Sequence, residues 1–587
     1  MTSLTKPDKY ELLAETARRR GFFWPSFEIY GGVGGFIDYG PLGIGLRRKI
    51  EEKWRDFFVR REGLLELDTP IIVPEKVFQA SGHVDHFKDP VIECLSCKRS
   101  YRTDHLLKEK AHVDAEALSL DEMDQAIKKN LVRCPECGGE LSKPKQLGTM
   151  FKTTIGPYIE STAYGRPETA QGMFIDFKRL YEIGRERLPL GIAQIGRSLR
   201  NEISPRQGPI RLRELNMMEF EFFFDPEAPQ PRVTEEVKDE VIRLVPAGKR
   251  LRGNEEPIEL TIAEALQRNY ILNAWSAYFM VQSRRFVDML GIPPERQRFH
   301  EKLPNERAHY SAQTYDHEVL LDRWGWVELA GHAYRTDFDL RAHMLGSGVD
   351  MSVFKAYDRP VRKSVRKLVP QLHVLGKKFG EKTRIIAGEI ARQDLATVEK
   401  AFSTKGWLEI GESRVGPEDV KIVEEIVEET GTRFIPHVVE PSFGSDRLLY
   451  AVLEYAYSRE KDRVVLHIPR DLAPVQAAVF PLMAKNGLAE KALQLYKVLL
   501  NEGFDVEYDE TGSIGRRYAR ADEAGVPIAI TVDYDTVEDE TVTLRDRDTW
   551  KQVRANIPRV PELLEAYVRK RIEFEQMGKP VPEDVRD

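Results

Sequence analysis

Residues 190–224 read LGIAQIGRSLRNEISPRQGPIRLRELNMMEFEFFF, and this stretch decides the fold. Two apolar runs flank the turn-rich segment SPRQGP, a pattern typical of strand, loop and strand. In the second run Phe220 and Phe222 alternate with Glu219 and Glu221, which is a period near two. The pattern predicts a β-hairpin with one buried face, whose charged side chains point together to the other face.

Composition limits the class of protein. The chain has 587 residues, 41% of them hydrophobic and 31% charged, as in an ordinary protein of several domains. Its net charge of −7 argues against a generally basic nucleic-acid-binding coat but leaves room for a local basic face. The N-terminus MTSLTKPDKY has no apolar targeting core, and no run approaches the roughly 18 apolar residues of a membrane span. We therefore expect a cytoplasmic protein without a membrane partner.

The four cysteines form two pairs, Cys94 with Cys97 and Cys134 with Cys137. Each CxxC pair presents two thiolates at a spacing that suits a tetrahedral ion, and four sulfur ligands make a closed, structural zinc site. The 36 residues between the pairs are more than usual, and four free buried thiols remain the alternative.

The glycine-rich stretch GGVGGFIDYGPLG at 31–43 looks at first like a phosphate-binding loop. It lacks the lysine followed by Ser or Thr that such a loop needs, and its spacing does not fit a dinucleotide fingerprint. A tight loop with close backbone packing explains its glycines better.

Three distant clusters place carboxylates and arginines among residues that would otherwise be core. They are YGRPETAQGMF at 164–174, the hairpin itself, and HVVEPSFGSDRLLYAVLEYA at 437–456. In the third, Arg447 falls in the first turn of a predicted helix, where it opposes the helix dipole. An anionic ligand would account for that arginine.

At these residues the chain resembles class II aminoacyl-tRNA synthetases. GLLELDTPII at 63–72, the hairpin segment LRNEISPRQGPIRLRE, and EPSFGSDR at 440–447 are similar to motifs 1, 2 and 3 of that class. Together with the glycine-rich stretch, SGHVDHFKDP (81–90), GRPETAQGMF and ELAGHAYRTDFDLRAH (328–343), they resemble the homodimeric glycyl-tRNA synthetase family. The resemblance covers nearly the whole chain. It implies an α+β fold with a six-stranded antiparallel sheet, flanking helices, inserted domains and a C-terminal α/β anticodon-binding domain.

The resemblance also implies the reaction and its partners: glycine, ATP, Mg²⁺ and tRNA(Gly), with a glycyl-adenylate intermediate. Such a transfer needs positive charge around the phosphates rather than a protein nucleophile. The implied ATP-binding residues, with Arg200, Glu202 and Arg447 as the catalytic ones, are Arg200, Asn201, Glu202, Ile210, Arg211, Leu212, Arg213, Glu214, Leu215, Glu328, Leu329, Gly444, Ser445, Asp446 and Arg447. Leu199 and Leu215 stand where the family usually has phenylalanine, which leaves open what stacks on adenine.

The implied glycine-binding residues are Arg102, Glu168, Leu215, Asn216, Met217, Met218, Glu219, Glu440, Pro441, Ser442, Phe443 and Gly444. Of these, Glu168, Glu219 and Glu440 would surround the substrate ammonium, and Ser442 would press against its Cα. One added methyl changes binding by only about 1–3 kcal/mol, so the site must reject alanine by exclusion.

The resemblance divides the chain into expected segments. Segments of the catalytic domain are expected at 1–90 (with motif 1), 149–225 (with motif 2), 301–344 and 436–463 (with motif 3). Three insertions are expected between them: a zinc-knuckle insertion at 91–148, a mainly helical insertion at 226–300, and an insertion at 345–435 that is a candidate for contact with the tRNA acceptor. The anticodon-binding domain is expected at 464–587. Within the insertion at 345–435, EDVKIVEEIVEETG at 418–431 is expected to be an acidic helix. Motif 1 would build a two-fold dimer interface. The glycine-rich stretch would shape the active-site wall or the dimer contact.

Two surfaces are candidates for tRNA. The basic run 359–367 is either a solvated surface or a contact with the nucleic-acid backbone. Arg516, Arg517, Arg520 and Tyr518, in GSIGRRYAR, are candidates for backbone contact and base stacking. The competing functions are a catalytically inactive synthetase-like protein that binds nucleic acid, or a class II synthetase for another small amino acid.

Overall fold

The computed structural model describes residues 8–113, 115, 118–157, 161–203, 205, 207–228, 235–460 and 463–581. Positions 204 and 206 of the predicted hairpin loop, and 229–234 of the predicted helical insertion, lie outside this range. The chain separates into two compact units, one formed by residues 352–435 and the other by the remainder. No described helix is both long and apolar enough to cross a membrane.

A nine-stranded sheet forms the centre of the larger unit. Its strands in chain order are β1 Leu65–Glu66, β2 Leu190–Leu199, β3 Glu214–Phe224, β4 Val241–Val245, β5 Ile258–Thr261, β6 Gln297–Glu301, β7 Gln313–Leu321, β8 Gly325–Thr336 and β9 His437–Gly444. Their order across the sheet is β5-β4-β6-β7-β8-β9-β3-β2-β1. The six strands from β6 to β2 pair antiparallel throughout, which confirms the predicted sheet. β1 adds a parallel edge strand, and β4 pairs in parallel with β6.

The hairpin β2–β3 is confirmed, with Gln194 opposite Glu219 and Leu199 opposite Glu214. Phe220 packs into the core against Trp54 and neighbouring rings, as the alternation predicts. The other face is also buried: Glu219 and Glu221 are 1% and 0% exposed. Helix Ala170–Ile175 covers this face, so both glutamates are internal, and Glu219 lines the cavity described below.

Helices pack on both sides of this sheet. In the larger unit before the C-terminal domain they are Lys9–Arg20, Pro41–Trp54, Glu75–Ala80, His83–His86, Ala170–Ile175, Phe177–Ile183, Ala247–Arg250, Ile262–Gln267, Ala274–Met289, Phe338–Ser347 and Ser445–Ala456. Pro41–Trp54 continues as a π-helix over Arg55–Arg60, and Gly63 follows with φ +70°, a backbone conformation that favours glycine after a helix. The start of the same helix touches the preceding chain, because a Cβ at Gly43 would lie 1.8 Å from the Phe22 carbonyl oxygen.

The cysteine-bearing insertion has its own small core. It contains strands Lys88–Glu93, Ser100–Arg102 and Lys145–Gly148 and helices Thr103–Ala111 and Leu120–Lys129. Ser119 and Glu122 form a capping box at the start of the second helix, and Met123 and Ile127 are buried with Ile92. Beside it, strands Ile72–Pro74, Lys152–Thr154 and Thr162–Gly165 form a three-stranded sheet, and Phe23–Pro25 pairs with Ile37–Tyr39.

The prediction that 226–300 is mainly helical is wrong for part of the segment. Residues 241–245, 258–261 and 297–301 are the strands β4, β5 and β6, which extend the sheet. These strands are four or five residues long. A window that short carries too few alternations to outweigh the helical pattern of the neighbouring Ala274–Met289.

The smaller unit is a long two-stranded ribbon with a helical cap. Val353–Pro370 pairs antiparallel with Val420–Phe434, and between them lie helices Leu372–Phe379, Thr383–Ala391 and Leu395–Lys405 and the strand pair Leu408–Ile410 and Ser413–Val415. The predicted acidic helix at 418–431 is therefore wrong. Its valines and isoleucines suit a strand, and its glutamates pair with lysine and arginine side chains on the facing β-strand.

The C-terminal domain is α/β, as predicted. Its six-stranded sheet contains Ala477–Pro481, Val506–Tyr508, Ile528–Val532, Thr541–Asp546, Gln552–Asn556 and Lys579–Pro580. Helices Leu488–Asn501, Ile514–Ala524, Tyr534–Asp539 and Val560–Val568 accompany it. Strand Arg463–Leu466 pairs with Tyr457–Glu460 outside this sheet.

Candidate active site

A cavity of about 260 Å³ lies against strands β3, β8 and β9. The predicted residues that line it are Glu168, Arg200, Glu202, Ile210, Arg211, Leu212, Leu215, Met217, Glu219, Glu328, Leu329, Glu440, Ser442, Gly444, Asp446 and Arg447. Residues from all three sequence motif clusters thus meet in one space. We call Glu168, Glu219 and Glu440 the carboxylate pocket and Arg200, Arg211 and Arg447 the arginine wall.

A buried arginine that does not line the cavity contacts two of the glutamates of the carboxylate pocket. Arg335, on β8, is 0% exposed. Its guanidinium lies 2.9 Å from Glu440 Oε2, 3.4 Å from Glu168 Oε1 and 2.7 Å from Asp339 Oδ2. Its Cζ also lies 3.5 Å from the centre of the Tyr310 ring. Paired in this way, the buried carboxylates are tolerated where isolated charges would be very costly.

Four side chains contact the Glu168 carboxylate. Oε1 lies 2.9 Å from the Gln171 amide nitrogen, 3.3 Å from His83 Nε2 and 3.4 Å from Arg335 Nη2, and Oε2 accepts a hydrogen bond from the Tyr310 hydroxyl at 3.3 Å. Burial alone would raise the pKa of Glu168, but Arg335 and His83 together hold it well below its usual range. Glu168 is therefore an ionised acceptor at the edge of the cavity.

The other two glutamates have different environments. Burial, with Glu168 and Glu219 close by, raises the pKa of Glu440 to about 8 although Arg335 opposes the shift. Glu219 accepts hydrogen bonds from the Thr169 backbone nitrogen at 2.7 Å and from Ser442 Oγ at 2.5 Å. Ser442 is thus fixed against the pocket by the carboxylate beside it.

The arginine wall is tied to the sheet and to the motif 2 loop, residues 200–213. Arg447 donates from Nε to the Ile210 carbonyl at 2.9 Å and from Nη1 to the Glu328 carboxylate at 3.0 Å. Arg211 donates to Glu202 at 2.7 Å. Arg200 donates to the Pro167 carbonyl at 2.9 Å, next to Glu168. These contacts position three guanidinium groups along one side of the cavity.

Carboxylates gather at the far end of the arginine wall. Burial opposes ionisation of Glu328, but Arg447 and Lys302 lower its pKa to about 2. Burial, with Glu328 nearby, raises the pKa of Asp316 to about 7 even though Lys302 Nζ lies 2.7 Å away. Glu318 stands opposite Glu328 in the β7–β8 pairing.

Several predicted site residues do not line the cavity. They are Arg102, Asn201, Arg213, Glu214, Asn216, Met218, Pro441, Phe443 and Ser445. Met218 and Phe443 face the hydrophobic core, because successive strand residues point to opposite faces. Asn216 instead binds Asp446 through its backbone and side-chain nitrogens, at 2.6 and 3.0 Å. Glu214 pairs with Arg197.

Arg102 and Arg213 have other partners. Arg102 lies on the cysteine-bearing insertion, pairs with Asp89 and Asp104, and lines a second cleft beside Glu202 rather than the carboxylate pocket. Arg213 joins the motif 2 loop to the glycine-rich stretch: its Nη1 donates to the Gly34 carbonyl at 2.7 Å and its backbone nitrogen to the Gly35 carbonyl at 2.8 Å. A Cβ at Gly35 would lie 2.5 Å from Pro205 Cγ, and its φ is +80°.

The four cysteines come together as predicted. The sulfurs of Cys94 and Cys137 are 3.5 Å apart, those of Cys97 and Cys134 are 3.6 Å apart, and all four lie within 4.8 Å of one another. A tetrahedral ion with bonds of about 2.3 Å to sulfur sets its ligands about 3.8 Å apart, so the cluster fits zinc.

In the C-terminal domain most of the candidate tRNA contacts serve the fold. Arg517 is 2% exposed, and its guanidinium donates to backbone carbonyls, among them that of Leu482. The Tyr518 hydroxyl bonds Thr531 at 2.7 Å, and Arg520 pairs with Asp509. Arg516 alone of the four is exposed.

Four residues that hold the pocket together were not predicted from the sequence. Arg335, Tyr310 and His83 contact Glu168, and Lys302 contacts Asp316. Arg335 and His83 stand inside the two family-like segments 328–343 and 81–90, where a charge in an apolar strand and a histidine after a turn were the available signals.

Comparison with known proteins identifies the fold and the family of this chain. The overall fold is similar to that of prolyl-tRNA synthetase from Cryptosporidium parvum complexed with halofuginone and AMPPNP, with a TM-score of 0.51, 12% identity, and coverage of 96% of this chain and 76% of that chain. Residues 476–567 match the family described as anticodon binding domain. The fold is thus that of a class II aminoacyl-tRNA synthetase.

The sequence relatives are more specific. The glycine–tRNA ligase of Aeropyrum pernix is 47% identical over 579 residues, covering 98% of this chain and 99% of that protein. That of Pyrococcus furiosus is 48% identical over 571 residues, covering 96% and 100%. The chain belongs to the glycine–tRNA ligase family.

Proposed function

We propose that this chain joins glycine to ATP as glycyl-adenylate and passes the glycyl group to tRNA(Gly). One observation carries the assignment of the site: the carboxylate pocket and the arginine wall open into the same cavity. Groups that bind a cation and groups that bind a polyphosphate therefore face one space. Membership of the glycine–tRNA ligase family and the match of the C-terminal domain to an anticodon binding domain support tRNA as the acceptor of the glycyl group.

The carboxylate pocket binds the glycine ammonium. The negative charge comes from Glu168, Glu219 and Glu440. Arg335 offsets the repulsion between these carboxylates when the pocket is empty. Ser442, held by Glu219, occupies the space that a substrate side chain would need. Overfilling a packed site costs about 1–3 kcal/mol, which is the scale needed to reject alanine.

The arginine wall binds ATP. Arg200 stands between the pocket and the phosphates, where a guanidinium can bind the α-phosphate and the carboxylate of glycine together. Arg211 and Arg447 lie further along the polyphosphate, and the apolar side chain of Leu215 provides a floor for adenine. The glycine carboxylate is itself the nucleophile, so these residues act by orientation and by charge stabilisation.

Magnesium fits the carboxylates at the far end of the wall. Asp316 and Glu318 lie close enough to hold an ion together with His300, Glu328 stands opposite Glu318, and these carboxylates are hard oxygen donors, which Mg²⁺ prefers. Burial first, and then the nearby Glu328, raises the pKa of Asp316 to about 7. These residues would hold the ion, which neutralises phosphate charge when it is bound. Zinc is the structural ion of the four-cysteine cluster, because four thiolates are ligands typical of structural zinc sites.

The tRNA contacts follow from the exposed cations. Arg516 in the C-terminal domain is a candidate anticodon contact, and the 345–435 insertion is a candidate acceptor contact. We place the protein in the cytoplasm as a homodimer built through motif 1, where Ile71 and Ile72 are 38% and 44% exposed in the single chain. Apolar side chains on that surface suit an isologous interface.

ATP–pyrophosphate exchange with each amino acid tests the function. We expect exchange with glycine and little with alanine or serine. Exchange driven better by alanine or serine would assign another substrate. Absence of exchange in correctly folded protein would favour the inactive, nucleic-acid-binding alternative.

A further inference from the structure

The segment SGHVDHF at 81–87 lies beside the carboxylate pocket, but its side chains do not line the cavity. It follows helix Glu75–Ala80 and forms the short helix His83–His86. The His83 side chain is 2% exposed although its neighbours Asp85 and His86 are exposed. A buried imidazole at the edge of an acidic pocket needs partners.

Both nitrogens of His83 have a partner. Nδ1 lies 2.8 Å from Ser81 Oγ, and Nε2 lies 3.3 Å from Glu168 Oε1. If Ser81 donates to Nδ1, the ring proton is on Nε2 and points to Glu168. The ring therefore connects a fixed turn to the carboxylate.

The turn that carries Ser81 is itself held in place. Gly82 has φ +79°, and a Cβ there would lie 2.9 Å from His309 Nε2. The same nitrogen of His309 is 2.7 Å from the Ser81 carbonyl oxygen. Ser81 and His83 are thus fixed relative to β7 and its preceding loop, not only to their own helix.

We propose that His83 is a positioning residue for glycine binding: it bridges Ser81 Oγ and Glu168 Oε1 and so keeps the Glu168 carboxylate facing the substrate ammonium. The proposal rests on the role of Glu168 proposed above. Arg335 Nη2 contacts the same oxygen at 3.4 Å. Without His83, Gln171 at 2.9 Å and Arg335 are the remaining partners of that oxygen, so we expect the carboxylate to turn towards them and away from the cavity.

Two substitutions test the role by ATP–pyrophosphate exchange. We expect His83→Ala to raise the glycine KM by about 10–100-fold, the range caused by displacing a binding group by about 1 Å, and to leave the ATP KM within about twofold. His83→Gln keeps an N–H near the position of Nε2, and we expect it to restore most of the glycine affinity. Asp85→Ala is the matched control, since that exposed side chain lies on the same short helix and does not contact Glu168.

Other results overturn the proposal. Equal increases in the KM of glycine and ATP, an unchanged glycine KM, or a His83→Gln protein no better than His83→Ala would show a merely structural role. If His83→Ala does not fold, the glycine KM of His83→Gln is compared with the glycine KM of wild type instead. Glu168→Gln separates the role of His83 from that of Glu168. An unchanged glycine KM in Glu168→Gln removes the role of Glu168 itself, and absent exchange in wild type removes the proposed function.

Discussion

Arg335 Nη1 donates to Glu440 Oε2 at 2.9 Å, 105 positions along the chain, with the guanidinium fully buried. The substrate pocket therefore contains its own cation, and a glycine ammonium enters a site that is already partly neutralised. When glycine binds, its ammonium group therefore shares the carboxylates with Arg335 instead of pairing with an unpartnered carboxylate. The strength of glycine binding should then depend on the ionisation of Glu440.

Glu440→Gln tests the ammonium site. The change keeps the shape of the side chain and removes its charge, so we expect the glycine KM to rise by about tenfold or more, as for loss of one charged hydrogen bond, while the ATP KM stays within about twofold. Exchange kinetics with each substrate varied in turn measure both. Glu15→Gln is the control, because Glu15 pairs with Arg19 on the surface. Equal loss of glycine and ATP binding contradicts the assignment.

The pH dependence of glycine binding follows from the raised pKa of Glu440, about 8, caused first by burial. Below that pH the empty pocket holds Glu440 mostly protonated, whereas the ammonium favours the ionised form. The glycine KM should fall by up to about tenfold per pH unit as the pH rises towards 8, and level off above it. Exchange assays from pH 6 to 9 measure the slope. A slope that persists in Glu440→Gln assigns it to another group.

Arg447→Lys tests the nucleotide end. Lysine keeps the charge but cannot bind Ile210 and Glu328 at once, as the guanidinium does. We expect the ATP KM to rise by about 10–100-fold, with the glycine KM much less affected. Arg341→Lys, in a surface pair with Asp337, is the matched control. An ATP KM equal to that of wild type would remove Arg447 from the site.

Zinc content tests the cysteine cluster directly, since the chain has only four cysteines. Protein purified without chelator should contain about one zinc per chain, and its thiols should react with a thiol reagent only after the metal is removed. Cys97→Ser should lower the zinc content and loosen the insertion. Four reactive thiols in protein that was never treated with chelator would mean that the cluster holds no metal.

The basic run at 359–367 is partly neutralised by a ladder of cross-strand pairs. Arg362 lies 2.8 Å from Glu428, Lys363 3.1 Å from Glu429, and Lys367 2.7 Å from Glu425. Exchanging the charges in Arg362→Glu with Glu428→Arg keeps a pair but moves the positive charge to the other strand.

If the run contacts tRNA, this double variant should raise the tRNA KM in aminoacylation and leave pyrophosphate exchange unchanged. The single variant Arg362→Glu controls for loss of the pair. A tRNA KM that changes in neither variant identifies the run as solvated surface.

The charged residues of the site could be predicted because their chemistry forces them into unusual places. Glu219 and Glu440 interrupt apolar strands, and Arg447 opposes a helix dipole, so each is visible within a few residues. Arg335 and His83 were missed because their meaning depends on Glu168, which is 167 positions from Arg335. A single sequence does not contain that proximity.

Local patterns also set the limit for the fold. The period-two alternation of 218–224 was decisive because phenylalanine and glutamate contrast strongly there. In 418–431 Ile422 and Ile426 are spaced for a helix face, yet the same residues suit a strand with basic residues opposite. Tertiary pairing decided between the two, and it lies outside the window that shows the pattern.

The brace between Arg213 and the Gly34 and Gly35 carbonyls gives the N-terminal segment a role at a distance. None of the described residues before 168 lines the cavity. A protease cut between Trp24 and Ile37 would therefore spare every cavity-facing side chain and still release the loop that presents Glu202 and Arg211. Trimming this protein to a minimal catalytic fragment has to begin upstream of that stretch.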